Sequence, residues 1–272
     1  MKNKTDAQPP YTRHALSPFR QLIIDGLEVG RKKHYIKGFI EVDVTETRQA
    51  IRQYRRSRGN RLSFLAFFIS CVVRALRDNP ALNSGLKRNK IIQFKDIDVS
   101  VAIEMSLNGE RVPRLMVLRA AQQKSAQDIH DEIAHAQQQN KEQSDVVQGD
   151  EKNIKLVKAV LRLPKWLRML LWNRLLRDPF FTKRMMGTVG ITSIGMFGKM
   201  NGWPEPIPTS NHTVSFALGS ITKKPQVIRG EVAIREILHL TILMDHDIVD
   251  GAPAARFIEQ LRRYVEQAQF EE

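Results

Sequence analysis

Residues 241–257 read Thr-Ile-Leu-Met-Asp-His-Asp-Ile-Val-Asp-Gly-Ala-Pro-Ala-Ala-Arg-Phe. An apolar run from Ile237 to Met244 ends at His246, the chain turns at Asp250-Gly251, and a helical pattern starts at Ala252-Pro253. The pattern sets one imidazole at a strand end, beside a turn that small or polar residues make. Three readings are open for such a histidine. It fills core space; it ligates a metal, for which no partner lies at suitable local spacing; or it is a general base. The last requires a pKa near neutrality, a second group fixing the tautomer and an adjacent cleft.

Outward from this corner, Ala252–Ala268 is a closing helix with Phe257, Leu261 and Val265 inward. Thr188–Ser193, Thr213–Leu218 and the run before His246 are strands of one sheet, and Gly195 and Gly198 follow the first. Between them Gly202–Pro208 is stiffened by three prolines. Upstream, Lys90–Phe94, Ile97–Met105 and Val112–Leu118 read as strands around a turn at Leu107–Glu110. Leu62–Leu76 is apolar on nearly every side and predicts a buried helix. Tyr35–Val44 alternates as a strand, Thr45 caps a helix ending in Arg55–Arg61, and residues 18–29 form a first helix with Ser17 as N-cap and Pro18 at its first position. Ser125–Gln138 is a further helix. Its His130 and His135 stand five apart, about 140° round the axis, and do not converge on one metal. Residues 137–149 are polar and aperiodic, an expected loop.

The chain has 272 residues, 42% hydrophobic and 26% charged, which suits a soluble globular protein with a large core. Met1–Pro10 lacks the apolar stretch of a secretion signal and no run reaches the length needed to span a bilayer. The single cysteine, Cys71, lies in an apolar run and reads as a small buried residue in a reducing compartment. The expectation is a cytoplasmic protein.

Its net charge of +14 favours an anionic partner: nucleic acid, membrane lipid or a phosphorylated cofactor. Residues 151–190 hold ten Lys/Arg against Glu151 and Asp178, so they supply +8 of that total. Within them Ile154, Val157, Val160 and Leu161 oppose Lys155, Lys158 and Arg162, Pro164 interrupts, and a Trp166/Trp172 helix rich in leucine and basic residues follows. Residues 154–178 either lie on an anionic membrane surface, at the inner membrane, or pack on their own domain or a neighbouring subunit. Nucleic-acid binding ranks last, because the charge sits on a Trp/Leu-rich segment rather than a reading element.

The His246-x-x-x-Asp250-Gly251 spacing resembles the signature of the dihydrolipoamide acyltransferase catalytic domain of 2-oxoacid dehydrogenase complexes, a chloramphenicol acetyltransferase-like family. Three further stretches are similar to it in the same order: Phe64–Ser84, Ile97–Leu118 and Thr188–Gly198. The resemblance covers roughly residues 17–268. It implies an α/β fold, an α+β two-layer sandwich with a mixed central sheet and helices, assembled as a trimer. It also implies a flexible arm over 1–16 and one catalytic-type domain over 17–272, with a basic insertion at about 150–187.

The implied chemistry is transfer of an acyl group from a coenzyme A thioester to a thiol or hydroxyl. His246 is then the general base, Thr192 donates to the oxyanion, and Asp250 organises the site. In the family the histidine of one subunit faces the hydroxyl of the next. Asp247 stands where the family has arginine, which places an anion beside the base and motivates the alternative of an inactive scaffold of the same fold. Arg20 is a candidate partner for Asp250. These residues hold no lipoyl or subunit-binding domain, so the expected acceptor is a lipoyl domain in trans, a small molecule or a lipid-like molecule.

Overall fold

The computed structural model describes residues 11–107, 110–139, 159–195, 201–207 and 212–268. Helix α1 (Pro18–Gly30) starts on the Ser17 hydroxyl, which accepts from the Arg20 amide at 3.2 Å. Strand β1 (Tyr35–Asp43) leads into α2 (Thr45–Arg58). Thr45 is the first residue of α2 rather than its cap. The Asp43 carboxylate takes the capping role, accepting from the Thr45 amide at 3.0 Å and its hydroxyl at 2.6 Å.

Helix α3 (Phe64–Asp78), capped by Ser63, buries Phe67, Phe68, Ile69 and Leu76 completely. It is followed by β2 (Ser84–Lys87) and β3 (Lys90–Gln93), a separate two-stranded ribbon, and by the antiparallel pair β4 (Val99–Leu107) and β5 (Glu110–Leu118). Then come α4 (Ala126–Gln139), α5 (Lys165–Leu176), α6 (Pro179–Met186), β6 (Val189–Ser193), β7 (Val214–Ile228), β8 (Glu231–Asp245) and α7 (Gly251–Glu266). Helix α6 and strand β2 were not anticipated, and β7 and β8 form a much longer hairpin than their apolar runs predict.

Six strands make one mixed sheet in the order β1-β8-β7-β6-β4-β5, with β6 parallel to both neighbours and the other pairs antiparallel. Strand side chains alternate between faces. Val99, Val101, Val189, Ile191, Val214, Phe216, Leu238, Leu240 and Ile242 turn to one face and meet Phe67 and Phe68 of α3 and Phe257, Leu261 and Val265 of α7 in the main core. Phe68 and Phe216 meet edge to face at 5.9 Å. This is the expected mixed sheet with helices, and Cys71 is buried within it. The opposite face carries Ser100, Gly190, Thr192 and Ser215, a small and polar set left for another use.

The basic segment packs on its own chain. Trp172, Val160 and Val29 form a second core with Leu22, Met169 and Leu175. At its centre the fully buried Asp25 accepts from Arg168 Nε at 2.8 Å, Arg168 Nη2 at 3.2 Å and Trp172 Nε1 at 3.2 Å. Parts of the expected arm, β4–β5 turn, polar loop, first helical piece and glycine loop, at residues 1–10, 108–109, 140–158, 196–200 and 208–211, lie outside the described residues.

Candidate active site

Strand β8 ends at Asp245 and delivers His246 to its tip, where the His246 amide donates to the His34 carbonyl at 2.7 Å. The imidazole is 46% exposed, so it is open to a substrate. Its Nδ1 lies 4.0 Å from Asp250 Oδ1, an ion-pair distance longer than a hydrogen bond. Asp250 occupies the N-cap position of α7, and its in-chain partner is His246 rather than Arg20.

Asp247, next in sequence to His246, makes two contacts of its own. Its amide donates to Asp245 Oδ1 at 3.1 Å, and its carboxylate lies 2.8 Å from His34 Nδ1. The anion is engaged by a different histidine. Beneath it, Asp245 is fully buried and paired with Lys33. Tyr35, in register with Asp245 across β1 and β8, donates its hydroxyl to the His212 carbonyl at 3.0 Å. Burial, and then the charges of Asp245 and Asp247, push the Tyr35 phenol well above its ordinary range. Lys33, His34, Tyr35 and Asp245 were not identified from sequence. The local signal for them was absent, because the β1–β8 pairing brings residues 33–35 and 245–247 together from distant parts of the chain.

Thr192 sits on the sheet face turned away from α3 and α7, in a cavity of about 260 Å³ shared with Tyr35, Ser100, His212, Ser215 and Ile207. Gly190 makes this floor possible: a Cβ there would stand 2.8 Å from His212 Nδ1. The His212 ring is buried, with Nε2 2.9 Å from the Met186 carbonyl, so Nε2 carries the proton. Burial lowers its pKa to about 4, overcoming the opposing pull of backbone carbonyls.

The three expected site residues do not all converge in one chain. Asp250 and His246 are together. Thr192 is in register with Ala217, and Ala217 with Thr241, so His246 lies five residues farther along β8 and two strands across. At about 3.3 Å per residue and 4.8 Å per strand, the separation is roughly 19 Å. No single thioester carbonyl touches both.

A family model described as 2-oxoacid dehydrogenases acyltransferase (catalytic domain) matches residues 8–149 and 183–270. The chain is 27% identical over 213 residues to the dihydrolipoyllysine-residue succinyltransferase component of the 2-oxoglutarate dehydrogenase complex of Buchnera aphidicola, covering 78% of this chain and 44% of that one. It is 28% identical over 233 residues to the lipoamide acyltransferase component of the branched-chain alpha-keto acid dehydrogenase complex of Bacillus subtilis, covering 84% and 45%. The chain therefore spans less than half the length of these relatives. Its fold is similar to a probable dihydrolipoamide acetyltransferase structure from Listeria monocytogenes, with a TM-score of 0.70 at 23% identity over 96% of this chain and 97% of that one.

Proposed function

Because the chain belongs to the family of 2-oxoacid dehydrogenase acyltransferase catalytic domains, we propose that it moves an acyl group from a coenzyme A thioester to a thiol or hydroxyl acceptor. The observation that carries the reading is the pairing of an exposed His246, held beside Asp250, with a Thr192 hydroxyl lining a groove on the open sheet face. A second copy supplies the missing half: Thr192 of one protomer faces His246 of its partner, in a homotrimer.

In this reading the negative charge of Asp250, 4.0 Å from His246 Nδ1, favours the tautomer with its proton on that nitrogen, which leaves Nε2 to accept the proton of the acceptor thiol. The resulting sulfur anion attacks the thioester carbonyl carbon. Negative charge builds on the carbonyl oxygen, where the Thr192 hydroxyl donates to it. Collapse expels the coenzyme A thiolate, which takes its proton back from the imidazolium. A hydroxyl acceptor follows the same sequence through oxygen. The acceptor is a lipoyl group presented by another chain, or a smaller thiol or alcohol. No helix among the described residues is long and apolar enough to cross a membrane.

The test is complementation between two inactive variants. His246→Ala and Thr192→Val chains are each assayed for thioester turnover, then mixed under conditions that exchange subunits. Each variant alone is expected to be inactive, and the mixture to regain about a quarter of the parental activity by random assortment round a closed ring. A mixture that stays inactive overturns the shared site. A parent chain that turns over no acyl-coenzyme A with any thiol or hydroxyl acceptor overturns the enzyme reading in favour of a scaffold.

A further inference from the structure

A second cavity, of about 310 Å³, opens beside the His246 corner, between the end of α1, the β2–β3 turn and the connection from α5 to α6. Its walls carry Lys32, Lys33, Arg88, Arg177, Asn173 and Asp247. Two of these charges are already matched, Lys33 by the buried Asp245 and Asp247 by His34. Lys32 donates to the neutral Asn173 amide oxygen at 3.2 Å. Among the described residues, no carboxylate pairs with Lys32, Arg88 or Arg177. Three cations converging on one concave space repel each other and favour an anion between them.

The walls are fixed rather than draped. Lys87 pairs with Asp178 at 3.1 Å and lies 4.8 Å over the Phe180 ring, which meets Phe94 edge to face at 5.9 Å. Gly85 lets the α6 end close on the ribbon, since a Cβ there would stand 2.5 Å from Pro179 Cβ. Arg88 holds the left-handed conformation at φ 56°, a turn position that glycine or asparagine fills at less cost. The chain keeps an arginine there in spite of the backbone. Asn173, Arg177 and Pro179 belong to residues 150–182, which the family model leaves unmatched.

We propose that this cavity is a binding site for a phosphate ester or diphosphate group. Planar guanidinium groups donate in pairs to phosphate oxygens, and Lys32 adds a point charge. The volume is at the small end of ligand pockets and suits one or two phosphates with part of their carrier. The phosphate site stands on its own geometry, whereas the identity of the carrier, coenzyme A thioester or phosphorylated acceptor, rests on the acyl-transfer reading.

The experiment is equilibrium titration of the full chain, with no turnover involved, using coenzyme A, its bisphosphorylated adenosine fragment, pantetheine and pyrophosphate. The Arg88→Gln/Arg177→Gln double variant changes two exposed side chains and leaves the packing intact. Arg174→Gln, on the outer face of α5 and away from the cavity, controls for net charge. Phosphorylated ligands are expected to bind the double variant at least about tenfold more weakly, with pantetheine unaffected and the Arg174 variant like the parent. Arginine-dependent binding of pyrophosphate but not of coenzyme A also supports the site and assigns it to a phosphorylated acceptor. Equal affinity of parent and double variant for every phosphorylated ligand, or no binding of any to the parent, overturns it. Because binding alone is read, a chain that binds phosphate but transfers no acyl group fails only the reaction.

Discussion

His34 and Asp247, 213 residues apart in sequence, meet at 2.8 Å between Nδ1 and Oδ1 on the surface beside the candidate base. The contact gives the Asp247 carboxylate a partner other than its neighbour His246. Exposed pairs of this kind contribute at most about 1 kcal/mol. Asp247→Asn is therefore expected to lower kcat/KM for acyl transfer by less than about fivefold. Steady-state kinetics on the purified variant check this, and a loss of several hundredfold would mean that the carboxylate acts on the base directly.

Thr192 is expected to act through its hydroxyl alone. Thr192→Val keeps the shape of the side chain and removes the donor, which costs on the order of a hundredfold or more in kcat. Thr192→Ser retains the donor and is expected to keep most of the rate. The pair separates hydrogen bonding from packing, because valine fills the groove as threonine does while serine leaves a methyl-sized gap. Equal activity of the serine and valine variants would remove Thr192 from the chemistry.

The parts of this architecture that were legible in sequence are those with one buried face. The run into His246 and the α7 stripe of Phe257, Leu261 and Val265 are written locally and stand as read, whereas the turn expected at Asp250-Gly251 falls earlier, at residues 246–248, and Gly251 is already the first residue of α7. The outer half of the β7–β8 hairpin was illegible for the opposite reason. Val227, Val232 and Ile234 are exposed at 70%, 75% and 74%, and Lys223, Lys224 and Pro225 interrupt the pattern, so no burial imposes a period of two. Helix α6 spans 8 residues, too short for a helical period to register. The surroundings of His246 come from register. Tyr35 faces Asp245 across two strands whose pairing no local pattern specifies.

The Asp25–Arg168 pair joins the basic segment to the rest of the domain. Asp25 is fully buried, and although burial raises its pKa, the hydrogen bonds from Arg168 and Gln21 and the Arg168 charge bring it below the usual 3.8. Arg168→Met leaves a buried carboxylate without its cation and is expected to destabilise the chain by about 3–5 kcal/mol. Asp25→Leu/Arg168→Met replaces both charges with apolar groups and is expected to recover most of that loss. Urea unfolding of the single and double variants measures the difference. The stability this pair supplies is full above pH 3.8 and falls away as the pH drops through the lower folded value.

His212 gives a second and separate acid dependence. Its folded pKa is depressed from 6.5 to about 4, because burial disfavours the charged ring while Nε2 donates to the Met186 carbonyl. Above pH 6.5 both folded and unfolded chains hold the ring neutral and nothing is lost. Between 6.5 and 4 the unfolded chain takes up a proton that the folded chain refuses, so stability decreases as the solution is acidified. Over that window the loss from this one group is roughly 3 kcal/mol. The Asp25 contribution is lost only below 3.8, so the two ranges do not overlap. His212→Gln, which keeps an amide donor near Met186 and removes the titrating ring, is expected to flatten the stability profile between pH 6.5 and 4 while leaving the lower limb in place. Denaturant unfolding at a series of pH values reads both limbs, and an unchanged slope in the variant would assign the upper one to another group.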